Sequence, residues 1–116
     1  MRHQDFKRIT FFDILKKKSI KSILTDKSII LKNNIQKNFF VLDVSTPDNL
    51  KNNSIIFLKS DAIDSYLLNL KSNSNYSIHA FIESPYIANK KIQSFTLVNN
   101  LKSAYNMIIN NLFIHP

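Results

Sequence analysis

The side chains that most often carry chemistry in proteins are few in this sequence and lie far apart. The histidines are His3, His79 and His115, and no two have the i, i+2 or i, i+4 spacing of a metal site. There is no cysteine, which excludes disulfides, thiolate metal ligands and cysteine nucleophiles. We therefore expect each histidine to be structural or exposed, and we expect no metal and no cofactor.

Carboxylates and hydroxyls show no catalytic arrangement either. Candidates for an acid–base pair are Asp43, Asp48, Asp61, Asp64 and Glu83. Asp48, Asp61 and Asp64 fit better as cap or helix-start residues, where the helix dipole favours negative charge. Serine and threonine are abundant, but no spacing identifies the base that a hydroxyl nucleophile needs.

The absence of glycine narrows the function classes further. The 116 residues contain none, which excludes a phosphate-binding loop, a Gly-rich dinucleotide turn, a nucleophile elbow and a glycine-bearing hexapeptide repeat. Recognition is therefore a better expectation than catalysis. Asparagine tolerates left-handed backbone, and four Asn pairs stand where turns or helix ends would need glycine. These pairs are Asn33-Asn34, Asn52-Asn53, Asn99-Asn100 and Asn110-Asn111.

The net charge of +8 is concentrated near the N-terminus. Residues 1–38 hold ten Lys or Arg and three acids, a net of +7, whereas residues 39–116 hold six Lys and five acids, a net of +1. Such an asymmetry can mark a surface for nucleic acid or anionic membrane. A solvated helix face is the favoured alternative, because no aromatic residue interleaves Lys16–Lys18, and abundant Lys, Asn and Ile are typical of an AT-rich genome.

Apolar runs are short throughout the chain. None approaches the roughly 18 residues of a membrane span, and none follows the basic start as a secretory signal requires. We therefore expect a cytoplasmic protein.

Hydrophobic spacing predicts alternating helices and strands. A helix over Phe11–Ile23, capped by Thr10, would leave its lysines in water, and Pro47 would open a short helical turn. Later helices are predicted over Asp61–Lys71 and from Leu101, with Asn99 or Asn100 as the cap. Strands are predicted over Ser28–Leu31, Phe39–Val44, Ser54–Leu58, Ser77–Ile82 and Ile92–Val98, with a turn at Pro85.

The order strand, helix, strand over residues 54–82 predicts a βαβ unit with parallel strands. We therefore predict an α/β fold. It would be a single small domain over residues 1–116, with a mixed, largely parallel sheet of about five strands flanked by two or three helices.

In open α/β sheets, ligands bind beyond the carboxyl ends of the strands. Residues 57–61 occupy that position after the strand over Ser54–Leu58. The ring of Phe57 could stack on a nucleobase while neighbouring hydroxyls contact the edge of the base. The alternative, which spacing alone favours, is that Phe57 belongs to the core.

Two segments carry a family resemblance that covers most of the chain in order and spacing. The run Val41–Leu58 has a strand, a Ser-Thr-Pro-Asp-Asn turn and a second strand with Phe57 near its end, and Ser94–Tyr105 leads from a strand into the last helix. Both resemble the N-terminal domain of UDP-3-O-acylglucosamine N-acyltransferase, an enzyme of lipid A biosynthesis. The N-terminal domains of the Mur ligases, which share a related fold, are the nearest confusable family.

The resemblance implies a domain that binds the uridine part of UDP-acylglucosamine. In that family, acyl transfer from acyl carrier protein takes place in a separate β-helix of hexapeptide repeats, with histidine as the base. This sequence stops at Pro116, about where that domain would begin. We therefore expect a non-catalytic domain in which His115 has no catalytic role.

The family places an Asn-Pro-Lys-Tyr segment soon after the phenylalanine, and this sequence departs from it. Aligned without a gap, Ser60 replaces the Asn and Ile63 the Tyr, whereas a three-residue insertion gives the Tyr position to Tyr66. The implied uridine pocket is therefore Phe57, Ser60 and Tyr66. The alternatives are a basic module for RNA or anionic membrane through Lys16–Lys21, and a relic or fragment that folds without a ligand.

Overall fold

The structure, a computed structural model, describes residues 14–83 and 92–114. Short 3-10 turns cover Lys27–Ile29 and Ser60–Ala62. The elements in chain order are β1 (Ile14–Leu15), α1 (Ile20–Ile23), β2 (Ile30–Asn34), β3 (Asp43–Ser45), β4 (Ser54–Leu58), α2 (Ile63–Ser72), β5 (Ile78–Ile82), β6 (Phe95–Val98), α3 (Leu101–Leu112) and β7 (Phe113–Ile114).

Five of these strands form one sheet in the order β2-β6-β5-β4-β3. The four strands β3, β4, β5 and β6 are parallel, and β2 joins the edge antiparallel to β6. The small strands β1 and β7 form a separate antiparallel pair. The predicted α/β fold with a mixed, largely parallel sheet of five strands is confirmed.

The βαβ unit is β4, α2 and β5. The predicted strand over Ser54–Leu58 has these bounds in the structure, and it pairs in parallel with β5 along its whole length. Its short, Ile-rich, buried sequence favours a central strand over a helix, because β-branched side chains pack well on a pleated surface. The parallel pairing predicted for this unit is confirmed.

Side chains on the two faces of the sheet build two separate cores. Ile55, Phe81 and Val98 lie on the face covered by α1 and α3, which we call the α1/α3 face. Ile56 and Ala80 lie on the opposite face beneath α2, which we call the α2 face. Neighbouring residues of a strand point to opposite faces, so a one-residue difference decides which layer a side chain enters.

The first predicted helix is wrong within the described residues. Ile14–Leu15 is a strand paired with β7, and only Ile20–Ile23 is helical. The segment between them is held extended: the amide of Lys16 donates to the carbonyl of Leu112 at 2.6 Å, and the carbonyl of Lys18 accepts from the amide of Val41 at 2.9 Å. Thr10 and residues 11–13 lie outside the described residues.

Two connections also differ from the prediction. In the segment predicted as a strand over Phe39–Val44, only the end is strand, since β3 covers Asp43–Ser45. Pro47 does not open a helical turn. The amide of Asn49 donates to the carbonyl of Thr46 at 3.0 Å, which closes a tight β-turn with Pro47 at its second position.

Other bounds shift by a few residues. The predicted strand over Ser28–Leu31 begins as a 3-10 turn and continues as β2 to Asn34. The strands predicted over Ser77–Ile82 and Ile92–Val98 are the shorter β5 and β6. The predicted turn at Pro85 lies outside the described residues.

Asparagine takes the place of glycine at two of the four predicted pairs. Asn53 has a left-handed backbone with φ of 54° between β3 and β4. The side chain of Asn100 caps α3 by accepting from the amide of Ser103 at 2.8 Å. The pairs Asn33-Asn34 and Asn110-Asn111 lie inside β2 and α3, so the expectation was wrong there.

Within residues 14–83 and 92–114, no helix has the length and apolar character needed to cross a membrane.

Candidate functional site

Phe57 lies on the α1/α3 face near the carboxyl end of β4 and is half-buried. It faces Phe81, its register partner in β5, and the two rings stack with centroids 5.2 Å apart and planes 19° apart. The ring of Tyr105 in α3 meets Phe57 edge-on at 4.9 Å. Phe57 is therefore a half-buried member of an aromatic cluster.

Ser60 lies three residues further on, at the first position of the 3-10 turn that leads into α2. It is exposed, and among the described residues its hydroxyl has no hydrogen-bonding partner. Parallel strands end together at this edge of the sheet, so Ser60 follows the strand end that carries Phe57. Phe57 and Ser60 therefore both lie at the carboxyl edge of the sheet.

Tyr66 is not brought to that edge. It lies on α2, its side chain is 1% exposed, and it packs with Ile56 and Leu58 on the α2 face. The sheet therefore separates its ring from Phe57. Ile63, the other residue that the alignment offers, is buried in the same α2-face core.

Sequence reasoning missed two residues of the aromatic cluster, Phe81 and Tyr105. Phe81 could have been found from the predicted parallel pairing of β4 with β5, because the register of that pair places Phe81 directly opposite Phe57. Tyr105 follows Leu101 by one helical turn, the spacing of residues on one helix face. The second ring next to Phe57 therefore comes from α3 and not from α2.

The carboxyl edge of the sheet carries charges of both signs. Lys59 and Glu83 directly follow Leu58 and Ile82, which are register partners in β4 and β5. A carboxylate oxygen of Glu83 accepts from the amide of Leu101 at 3.3 Å, so an acid already occupies the positive end of the α3 dipole.

Two predicted helix-start acids are in place, and a third is not. Asp61 lies in the first turn of the 3-10 segment and Asp64 in the first turn of α2, so their interpretation as helix-start residues is confirmed. Asp48 instead belongs to the tight turn after β3, where its carboxylate accepts from the hydroxyl of Thr46 at 3.1 Å. The interpretation was therefore wrong for Asp48.

His79 is fully buried on the α1/α3 face, and both ring nitrogens are hydrogen-bonded. Nδ1 lies 2.7 Å from Oγ of Ser94, and Nε2 lies 2.7 Å from Oγ1 of Thr96. Because the Thr96 hydroxyl donates to Asn33 at 2.6 Å, its oxygen accepts from Nε2–H, and Ser94 donates to Nδ1. Every polar atom of the imidazole is thus satisfied while the ring is neutral.

The distance between Ser94 Oγ and His79 Nδ1 is that of a nucleophile and its base, but the surroundings of His79 disfavour its protonated form. Burial lowers the pKa of His79 to about 4, so the ring is a weak base. Its other neighbour is the Thr96 hydroxyl, which supplies no negative charge to stabilise an imidazolium. The network is structural, as expected for His79, whereas His3 and His115 lie outside the described residues.

The basic segment does not form a helix face. Lys16 and Lys18 are half-buried in the extended stretch before α1, whereas Lys17 and Lys21 are exposed. No observation tests binding of RNA or anionic membrane, so this alternative stays a prediction. Among residues 14–83 and 92–114, no group of three or more His, Asp or Glu side chains is placed to hold a metal ion.

A cavity lies where the second half of α2 meets the residues that open β5 and precede β6. This cavity measures about 790 Å³, within the roughly 300–1,000 Å³ range of small-molecule sites. Apolar side chains form much of its wall, namely Phe39, Tyr66, Leu67, Leu70, Ile78 and Ile92.

No family model, no curated protein and no solved structure matches the chain.

Proposed function

We propose that the chain is a non-catalytic recognition domain that binds the uridine part of a nucleotide sugar such as UDP-acylglucosamine. The observation that carries the proposal is the half-buried Phe57 at the carboxyl end of β4, followed by the exposed hydroxyl of Ser60. This edge is where ligands bind in open α/β sheets. The proposed site comprises Phe57 and Ser60, with Tyr105 in place of Tyr66.

The aromatic cluster suits a nucleobase because its ring is held in position before a ligand arrives. Phe81 stacks on Phe57 and Tyr105 contacts its edge, so the ring loses little freedom when a base packs against it. Stacking of a base on an aromatic side chain contributes about 1 to 3 kcal/mol. The hydroxyl of Ser60 can donate to, or accept from, a polar atom of the base or ribose.

The charges at this edge favour a neutral nucleoside over its phosphates. Lys59 is the nearest cation in sequence, but Asp61 and Glu83 lie at the same edge. The carboxylate of Glu83 already accepts a hydrogen bond from the amide of Leu101 at the start of α3. Uracil and ribose therefore account for most of the proposed contact, and the phosphates for little.

In this proposal the domain holds the substrate, and a separate domain catalyses the reaction. A hexapeptide-repeat acyltransferase domain and acyl carrier protein would supply the transfer step of lipid A biosynthesis, in the cytoplasm. The low pKa of His79, which makes the Ser94–His79 contact a poor catalytic pair, supports a recognition role over a catalytic one.

Calorimetric titration with uridine and with UDP-N-acetylglucosamine tests the proposal. We expect both ligands to bind, with dissociation constants within about threefold of each other, because the phosphates add little. Replacing Phe57→Leu removes the stacking surface and should weaken binding about tenfold. Ser60→Ala should weaken it by a smaller factor without changing the melting temperature, since Ser60 is exposed.

The matched control is Phe40→Leu, which alters a ring that is 57% exposed and lies outside the cluster. It should leave binding unchanged. Absence of heat and of competition up to millimolar ligand, or equal losses in the Phe40 and Phe57 variants, would contradict the proposal.

A further inference from the structure

The cavity has no part in uridine recognition as proposed above, because it lies by the residues that open β5 and precede β6, whereas Phe57 lies near the carboxyl end of β4 and does not line it. Tyr66, Leu67 and Leu70 of α2 form one wall, and Ile78 and Ile92 form another. The floor is apolar, whereas the outer positions are polar. This combination suits a molecule with an apolar body and a polar end.

One buried polar group of the cavity lining, the hydroxyl of Tyr66, has no hydrogen-bonding partner among the described residues. Tyr66 is 1% exposed. Buried polar groups are nearly always hydrogen-bonded, because a donor without a partner costs free energy. Burial also raises the pKa of Tyr66 to about 12, so the hydroxyl remains a donor at neutral pH.

The charge around the cavity has one sign. Lys37 and Lys71 are exposed at its rim, and no carboxylate belongs to the described residues that line it. Neither lysine pairs with an acid in the described ranges, where the ion pair present joins Lys51 to Asp43 at 3.3 Å. The cavity therefore presents unbalanced positive charge.

We propose that this cavity is a second binding site, for a small organic acid with an apolar body. The body packs against the apolar wall formed by Leu67, Leu70 and Ile78. The carboxylate accepts a hydrogen bond from the hydroxyl of Tyr66 and is attracted by Lys37 and Lys71. The proposal stands independently of the uridine site, since the two share no residue in the structure.

The test is a two-dimensional amide NMR titration of the whole chain with 2-naphthoate and, separately, with decanoate. We expect saturable shifts at cavity residues such as Leu70, Ile78 and Gln93, and little change near Phe57. Comparison of the two acids distinguishes a rigid ring body from a flexible chain. 2-Naphthamide, which has the same body without the charge, should bind about threefold to fivefold more weakly.

Two variants separate the charge from the hydroxyl. Lys71→Gln should weaken naphthoate binding a few-fold, whereas Lys27→Gln, an exposed lysine outside the cavity, should not. Tyr66→Phe should weaken binding about tenfold, because a hydrogen bond to a charged group is lost. The same variant should melt at an equal or higher temperature, because it removes a buried donor without a partner.

Several results would overturn the proposal. These are absence of saturable shifts with both acids at millimolar concentration, equal affinity for the acid and the amide, equal losses in the Lys27 and Lys71 variants, and unchanged affinity in a folded Tyr66→Phe variant. Uridine binding at Phe57 is measured separately and is unaffected by any of these outcomes.

Discussion

At the scale of single residues, His79 shows how a titratable group can serve the fold alone. Its ring is fully buried between two hydroxyls and meets Phe81 edge-on at 5.3 Å. Both nitrogens have partners only while the ring is neutral, with the proton on Nε2. Protonation would place an uncompensated charge in the core and would remove the acceptor that Ser94 needs.

The pKa of His79 predicts how stability depends on pH. The ordinary value of 6.5 applies to the unfolded chain, and burial lowers it to about 4 in the folded protein. Between these values the unfolded state binds more protons, so stability is complete above pH 6.5 and falls as the pH drops towards 4. The loss from this group amounts to about 3 kcal/mol.

Urea unfolding at pH 7.5, 6, 5 and 4 measures this loss. His79→Gln keeps a donor and an acceptor for Thr96 and Ser94 but does not titrate, and it retains His3 and His115. We expect the pH dependence of the variant to be shallower between pH 6.5 and 4. Parallel curves for the variant and the unmodified protein would show that His79 does not titrate as described.

The alternation of side chains along β4 also determines which candidate site residues lie on the same face of the sheet. Phe57 and Leu58 are adjacent in β4 but enter opposite cores, and Tyr66 packs with Leu58. The sequence predicted the strand and the helix near these positions, but not on which face the helix packs. That depends on how the chain leaves β4 through the turn at Ser60–Ala62, which local propensity does not determine.

At the scale of elements, the central strand and the two long helices were predictable, whereas the N-terminal helix was not. β4, α2 and α3 have strong local signals: a run of four apolar residues in β4, apolar spacing in α2, and an Asn cap on α3. Residues 14–23 have helical spacing, but their backbone groups pair with β7 and with residues 39–41. Long-range pairing therefore overrides local preference there, as it commonly does.

The cap of α3 is a prediction at this scale. Asn100 accepts from the amide of Ser103, so Asn100→Ala should lower the free energy of unfolding by about 1 kcal/mol. Asn99→Ala is the matched control, because Asn99 is exposed and its contact with Ile29 is made by its backbone amide. Urea unfolding of both variants provides the comparison, and equal effects would exclude a specific cap.

At the scale of the whole molecule, two unlike surfaces lie at different ends of the sheet. The aromatic cluster around Phe57 lies near the carboxyl ends of β4 and β5, and the cavity around Tyr66 lies by the residues that open β5 and precede β6. The sequence predicted the fold class, because it follows from the order of strands and helices. It could not predict the cavity, whose walls come from three stretches of sequence, residues 36–39, 66–78 and 92–94, that meet only in the folded chain.

An amide NMR titration with UDP-N-acetylglucosamine is the direct test of the proposed nucleoside site at Phe57 and Ser60. We expect saturable shifts at Phe57, Leu58, Lys59 and Ser60, with the amides lining the cavity unchanged. The same pattern should appear with uridine alone and fade in Phe57→Leu. Shifts confined to the N-terminal lysines, or no shifts at millimolar ligand, would contradict the proposal.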